Sequence, residues 1–124
     1  MLNYSSKGGI IILNQVVLVG RLVRDPEVKE NENNKKYSYI TVAVPRSFKD
    51  NNGEYQTDFL DIVLFDSVAK NTAEYCKKGS IVGIKGRLQS NVVEKDDNTK
   101  EYHMDIIAEK VTFLSSKSED ETNE

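Results

Sequence analysis

The chain has 124 residues, one cysteine and a formal net charge of −3 at pH 7. That length gives one domain with a single core. The negative charge excludes a globally cationic nucleic-acid binder but leaves the local charge pattern open. Cys76 alone cannot form an internal disulfide, no Cys/His cluster predicts a metal site, and the apolar run 10–13 is too short for a signal peptide. We therefore expect a cytoplasmic protein without metal or cofactor.

The first half of the chain predicts two strands. Residues 14–23 are apolar on both faces, which favours a central strand, and Gly20 inside them predicts a bulge or a close backbone approach. Residues 37–45 alternate between apolar and polar side chains, which predicts a strand with one buried face. The side chains that this second strand directs outwards are Tyr37, Tyr39 and Thr41.

A third strand is predicted at residues 56–65, and the turn signal 49–54 joins it to the second strand as a hairpin. Its alternation places Leu60, Ile62 and Leu64 in the core. The opposite face carries Phe59, Asp61, Val63 and Phe65. Phenylalanines that share a face with a carboxylate are unusual for a core, so this face needs another explanation.

One helix is predicted after the third strand. Asp66 or Ser67 can cap it, Lys77 and Lys78 fall in its last turn, and Gly79 is the expected stop. The alternation of residues 81–89 then predicts a fourth strand. It directs Val82, Ile84 and Leu88 inwards and Ile81, Lys85 and Arg87 outwards.

The polar tip 94–101 leads into a fifth strand at residues 102–114. Three strands, a helix and two strands in this order predict an all-β OB-fold, a five-stranded Greek-key barrel with its helix between strands 3 and 4. OB-folds bind ligands on the open face of strands 2 and 3. The outward aromatic residues of that face are Tyr37, Tyr39, Phe59 and Phe65.

The sequence also resembles the bacterial single-stranded DNA-binding proteins, the SSB family, from residue 13 to about residue 114. No single matching segment is diagnostic, but the number, order and spacing of the matching segments make the resemblance specific. The matching segments are Leu13-Asn14-Gln15-Val16-Val17-Leu18-Val19-Gly20-Arg21-Leu22, Asp25-Pro26-Glu27-Val28, Ile40-Thr41-Val42-Ala43-Val44, Arg46-Ser47-Phe48, Thr57-Asp58-Phe59, Leu64-Phe65, Tyr75-Cys76-Lys77-Lys78-Gly79-Ser80 and Gly86-Arg87-Leu88-Gln89.

The resemblance implies a homotetramer of OB-folds, or else a dimer, that wraps single-stranded DNA in replication, recombination and repair. It places the family's base-stacking rings at Phe48, Phe59 and Phe65, whereas a fourth stacking position falls on the aliphatic Val93. Bases stack on such rings while cations contact the phosphates. The cation candidates are Arg46, Lys49, Lys77, Lys78, Lys85 and Arg87, with Arg21 a weaker one because the first strand can instead serve a subunit contact.

Each candidate also has a purely structural interpretation. Phe59 and Phe65 could form an aromatic core or a subunit contact. The outward tyrosines could be ordinary strand-surface residues, and the lysines at the helix end could be charges favoured by the helix dipole. Lys85 and Arg87 could serve only solubility.

Two other functions are open at this point. One is an accessory module of the primosomal type that holds a protein partner and has weaker affinity for single-stranded DNA. The other is a small nuclease, which would need clustered carboxylates and a metal, and the sequence shows no such cluster. We therefore expect a binding protein and not an enzyme.

The two ends differ from the family pattern. Lys7-Gly8-Gly9 is what a ribosome-binding stretch would encode if it were read in frame, so we expect residues 1–12 to be an extension and the natural start to be Leu13. Residues 115–124 form an acidic tail that we expect to be disordered. This tail lacks the hydrophobic tip through which the family recruits replication and repair proteins, so we expect little tip-mediated recruitment.

Overall fold

The computed structural model describes residues 13–115, and the predictions for residues 1–12 and 116–124 lie outside that range. The elements in chain order are β1 Val16–Leu22, β2 Lys29–Glu30, β3 Lys36–Lys49, β4 Tyr55–Phe65, α1 Asp66–Tyr75, β5 Ile81–Glu94 and β6 Lys100–Phe113. Within residues 13–115, no helix is long and apolar enough to cross a membrane. The same residues contain no group of His, Cys, Asp and Glu side chains that could hold a metal ion.

The five long strands form a closed barrel. They are hydrogen-bonded in the order β1-β5-β6-β4-β3, and β1 also pairs with β3, which closes the ring. All pairs are antiparallel except β4 with β6, where Ile62 lies opposite Ile106 in a parallel register. The helix lies between β4 and β5, which are the third and fourth barrel strands. The predicted OB-fold is confirmed, and the two-residue β2 is an addition at the edge of β3.

The barrel interior contains the side chains that the alternation placed there. Ile40, Val42, Ile62 and Leu64 are each at most 2% exposed, as are Val82 and Ile84. Burial of one such aliphatic side chain contributes about 1.5–3 kcal/mol to folding. A Cβ added to Gly20 would lie 2.9 Å from the carbonyl oxygen of Ala43, so the predicted close backbone approach is confirmed, and it occurs between β1 and β3.

The turn between β3 and β4 depends on Asp50. Its Oδ1 accepts hydrogen bonds from the backbone N–H groups of Asn52 and Glu54, each at 2.9 Å. Gly53 in this turn has a φ of 79°, which glycine adopts without steric cost. Asp50 is therefore a turn-forming residue, and it fixes the hairpin that carries the aromatic strands.

The start of the helix differs from its prediction. The N-cap residue is Phe65, and no side chain forms a capping hydrogen bond, so the prediction that Asp66 or Ser67 caps the helix is wrong. The chain passes directly from β4 into α1 with Asp66 at a φ of 52°. There is no loop residue between strand and helix in which a cap could sit.

The end of the helix was also predicted wrongly. The helix stops at Tyr75, so Lys77 and Lys78 do not lie in its last turn and Gly79 is not its stop. The chain leaves the helix because the next segment pairs with the end of β1. Leu22 donates a backbone hydrogen bond to the carbonyl of Ser80 and accepts one from the N–H of Gly79.

The hairpin of β5 and β6 extends beyond the barrel to the pair of Glu94 and Lys100. Leu88, which we predicted to face the core, is 39% exposed, so that prediction is wrong. It lies opposite Ile106, two residues beyond Gly86, the last residue of β5 that pairs with β1.

Candidate nucleic-acid interface

The outer surface of β3 and β4 collects the predicted aromatic residues. Tyr37 lies opposite Phe65 in the antiparallel register, Tyr39 opposite Val63, and Ala43 opposite Phe59. We call this surface the ring face and define it by Tyr37, Tyr39, Phe59 and Phe65. Phe59 is 65% exposed, Tyr39 61% and Phe65 45%. Three of its four rings are therefore accessible to a ligand.

Two tyrosines form the part of the ring face that lies on β3. The rings of Tyr37 and Tyr39 meet edge to face with their centroids 5.5 Å apart and their planes at 73°. Tyr37 is half-buried, whereas Tyr39 is exposed. Tyr37 thus supports its neighbour, and Tyr39 presents a ring surface to solvent.

The carboxylate of Asp61 lies on the ring face and is held by a chain of hydrogen bonds. The hydroxyl of Thr41, its cross-strand partner, donates to Asp61 Oδ1 at 2.6 Å. Arg24 Nη2 in turn donates to Thr41 Oγ1 at 2.9 Å. The exposed Asp61 makes the ring face polar near its centre, although Thr41 and Val63 beside it are only 8% exposed. The exposure of Phe59 and Phe65 excludes their interpretation as core residues.

Near the hairpin end of these strands, Arg46 forms an ion pair with Asp58. Arg46 Nη2 lies 2.8 Å from Asp58 Oδ1, and Nε also donates to this carboxylate at 3.2 Å. Both side chains are about half exposed. In the absence of a ligand, the charge of Arg46 is therefore balanced by Asp58.

This ion pair shifts both pKa values. The hydrogen bond from Arg46 lowers the pKa of the Asp58 carboxyl below its ordinary value, and Asp58 raises the pKa of Arg46. Because the folded-state pKa of Asp58 is lowered, the pair stabilises the fold above the unfolded-state pKa of about 4. That contribution is lost as the pH falls through the still lower folded-state pKa.

Phe48 and Lys49 lie at the far end of β3. The register between β3 and β4 is irregular between Pro45 and Lys49, so this segment departs from the regular ladder. Phe48 is 63% exposed there. The ammonium of Lys49 lies 5.7 Å from the centroid of the Tyr55 ring, within the range of a cation–π contact. A ring and a cation are thus exposed together beyond the ring face.

The two predicted cations of β5, Arg87 and Lys85, lie on different rungs of the barrel wall. Arg87 lies opposite Ile107 of β6, Ile107 lies opposite Val63 of β4, and Val63 lies opposite Tyr39. Arg87 is therefore on the same rung of the barrel wall as Tyr39, three strands away. Arg87 Nη1 also lies 3.4 Å from Glu109 Oε2, so the two side chains form an ion pair.

Lys85 does not join that rung. It lies opposite Val17 of β1 on one side and Lys110 of β6 on the other, next to an irregularity in the ladder of β5 and β6. Two exposed lysines directly opposite one another repel. This lysine pair is a local concentration of positive charge on the barrel wall.

Lys78 lies in the segment between α1 and β5. Its backbone N–H donates to Asp25 Oδ1 at 2.7 Å, which ties this segment to the residues that follow β1. Its side chain is exposed. No contact among residues 13–115 joins the Lys78 side chain to the ring face.

The family model described as the single-strand binding protein family matches residues 13–114, the whole barrel. The chain belongs to the single-strand binding protein family. It is 39% identical to single-stranded DNA-binding protein B of Bacillus subtilis over 106 residues, which cover 86% of this chain and 94% of that protein. It is 36% identical over 113 residues to single-stranded DNA-binding protein 1 of Staphylococcus aureus strain Mu50, covering 91% of this chain and 72% of that protein.

A third relative is single-stranded DNA-binding protein 3 of Listeria innocua, at 42% identity over 106 residues, which cover 86% of this chain and 66% of that protein. The earlier resemblance to the single-strand binding protein family is therefore confirmed. The family position that falls on Val93 lies in the extension of β5, where Val93 is 42% exposed opposite Glu101.

Several charged residues near the predicted ones carry no recognisable signal in the sequence. Arg24 and Lys29 line a depression beside Tyr39, together with Asp25 and Glu27. Arg24 lies in an irregular segment and Lys29 in the two-residue β2, so neither is part of a periodic pattern that the sequence could reveal. Lys110 was missed because it faces Lys85 through a strand register that the sequence does not specify.

Proposed function

We propose that this chain binds single-stranded DNA without sequence specificity and protects and organises it in replication, recombination and repair. The observation that supports this most strongly is the ring face, with exposed aromatic rings on adjacent strands of an OB-fold barrel. Every base has a π-face, so exposed rings bind single strands of any sequence at about 1–3 kcal/mol per stacked base. Duplex DNA hides these faces in its own stack.

We assign the stacking role to Phe48, Phe59 and Phe65, with Tyr39 as an additional surface supported by Tyr37. The phosphate contacts are assigned to cations around these rings. They are Arg46, Lys49, Lys78, Lys85 and Arg87, to which the structure adds Arg24 and Lys110 as neighbours of predicted residues. Because these charges are spread over the barrel wall, they can neutralise phosphates even though the whole chain is acidic.

Fluorescence anisotropy with labelled oligo(dT) tests the proposed function. We expect saturable binding at moderate salt and at least about tenfold weaker binding of a duplex of equal length. The logarithm of the affinity should fall linearly with the logarithm of the salt concentration, by about 0.7 per phosphate contact. Absence of binding to oligo(dT) at low salt would show that the proposal is wrong.

Removal of the charge of Asp58 tests the assignment of Arg46. In Asp58→Asn, Arg46 is no longer neutralised, so we expect affinity for oligo(dT) to rise about threefold at low salt and the salt slope to steepen. Glu74→Gln is the matched control, because it makes the same change in net charge on the exposed surface of α1. Equal gains in the two variants would indicate an effect of net charge and remove Arg46 from the site.

We further propose a homotetramer in the cytoplasm, associated with the nucleoid, with a homodimer as the alternative. Support comes from the outer surface of β1, where Val17 is 68% exposed and Val19 53%. Apolar side chains in this arrangement favour burial against another subunit. Light scattering during size exclusion, with and without oligo(dT), separates the tetramer from the dimer.

The two alternatives receive less support. An accessory module with weak DNA affinity has no need of exposed rings, yet three of the four family stacking positions retain one. The family supports a binding role and not a catalytic one. Release of acid-soluble nucleotides with a divalent metal would favour the nuclease instead.

A further inference from the structure

Asp61 lies on the ring face between its two phenylalanines. On β4, alternate residues point to the same side, so Asp61 follows Phe59 by one outward position and precedes Phe65 by two. Outward neighbours on a strand are about 7 Å apart, roughly the size of a stacked base. The edge of a base stacked on Phe59 is therefore within reach of this carboxylate.

The carboxylate is held in a fixed position and retains one unused oxygen. Thr41 donates to Oδ1 at 2.6 Å, and Arg24 donates to the Thr41 hydroxyl at 2.9 Å. No hydrogen-bond partner for Oδ2 is found among residues 13–115. Because an ionised carboxylate only accepts hydrogen bonds, Oδ2 of the exposed Asp61 is an available acceptor on the surface where bases are proposed to stack.

The four bases differ in what they offer such an acceptor. Cytosine, adenine and guanine each carry an exocyclic amino group that donates hydrogen bonds, whereas thymine has none and carries a carbonyl oxygen where cytosine has its amino group. The single N–H of thymine is flanked by two carbonyl oxygens, which repel a carboxylate. Thymine is thus the one base with an unfavourable edge for Asp61.

We propose that Asp61 gives the ring face a preference for bases with an exocyclic amino group over thymine, and that Thr41 positions it for this task. This inference rests on the proposed function, because the hydrogen bond from a base to Asp61 adds to the stacking of that base on the rings. The rings stack with every base, and the carboxylate raises the affinity for those bases whose edge offers an amino group.

Cytosine and thymine provide the cleanest comparison, because both are pyrimidines of similar size. The quantity measured is the ratio of the Kd of a short oligo(dT) to the Kd of an oligo(dC) of equal length, above neutral pH so that cytosine is unprotonated. We expect Asp61→Ala to lower this ratio at least about tenfold, the value of one hydrogen bond to a charged group. Asp61→Ala leaves the core untouched, because Asp61 is exposed.

An unchanged ratio of the two Kd values would contradict the role of Asp61. A carboxylate that only repels phosphates weakens binding to both oligonucleotides, so its removal would strengthen both equally and leave the ratio unchanged. That outcome would overturn the role of Asp61 while preserving the proposed function. Failure of the unaltered protein to bind either oligonucleotide would instead contradict the proposed function.

Thr41 offers an independent test of positioning. Thr41→Val removes the hydroxyl that donates to Asp61, so we expect the ratio to fall towards that of Asp61→Ala. Thr41→Ser retains the hydroxyl and should restore the ratio, whereas a purely structural effect of β3 would change the affinities for both oligonucleotides together. An unchanged ratio in Thr41→Val would show that Thr41 does not position the carboxylate.

Discussion

Replacement of Phe59 and Phe65 together by alanine is expected to weaken binding of single-stranded DNA at least about 30-fold, because two stacked bases lose about 1–3 kcal/mol each. The rings are 65% and 45% exposed, so they contribute little to the core. We therefore expect the double variant to stay folded, with the far-UV circular dichroism spectrum of the unaltered protein. Anisotropy titration with oligo(dT) measures the loss.

Tyr75→Ala is the matched control for this experiment. Tyr75 is 52% exposed, but it is the last residue of α1, its ring packs against Phe113 of β6, and it is not part of the ring face. Loss of this ring should change the affinity less than about twofold. If the double variant bound as tightly as the unaltered protein, the ring face would not be the stacking surface.

The alternation of β4 was enough to predict which side of the sheet these rings occupy. A strand has a period of two residues, so the partly buried Leu60 and the buried Ile62 and Leu64 fix the orientation of the side chains between them. The register then follows from a hairpin closed by a turn around Asp50, which the sequence also indicates. The ring face was therefore predictable from the residues alone, before any resemblance.

The helix end shows where such local patterns fail. Lys77, Lys78 and Gly79 are ordinary signals for the last turn of a helix, yet the helix stops at Tyr75. The decisive contacts are the backbone hydrogen bonds between Leu22 and residues 79–80, far apart in sequence. A tertiary pairing of this kind overrides local helix propensity and leaves no local trace.

The charges of the site were the least predictable part. A list of cations does not reveal that Arg46 is already paired with Asp58, or that Arg24 reaches the ring face through Thr41. Both contacts depend on the register of distant residues and on side-chain conformations. Asp61 was the exception, because an outward carboxylate between two rings was visible in the alternation itself.

Gly86→Ala is expected to lower the free energy of unfolding by about 3 kcal/mol or more. A Cβ at this position would lie 2.1 Å from the carbonyl oxygen of Ile107 and 3.2 Å from the Cα of Ala108. Both obstacles are backbone atoms of β6, so no side-chain rotation can relieve the clash. The strands approach so closely here because their register shifts between Lys85 and Gly86. Urea unfolding at a fixed protein concentration measures the loss.

Gly83→Ala tests whether this effect is due to the close approach and not to the loss of a glycine. Gly83 is on the same strand, but an added Cβ would meet only side-chain atoms of Leu114 and Thr112, at 3.7 and 3.8 Å. Neither glycine has a positive φ, so backbone strain does not distinguish them. Gly83→Ala should leave stability unchanged or raise it by about 0.4–1 kcal/mol, because alanine restricts the unfolded chain. Equal losses in the two variants would mean that β5 tolerates no side chain at either position, and the contact with Ile107 would then not explain the result.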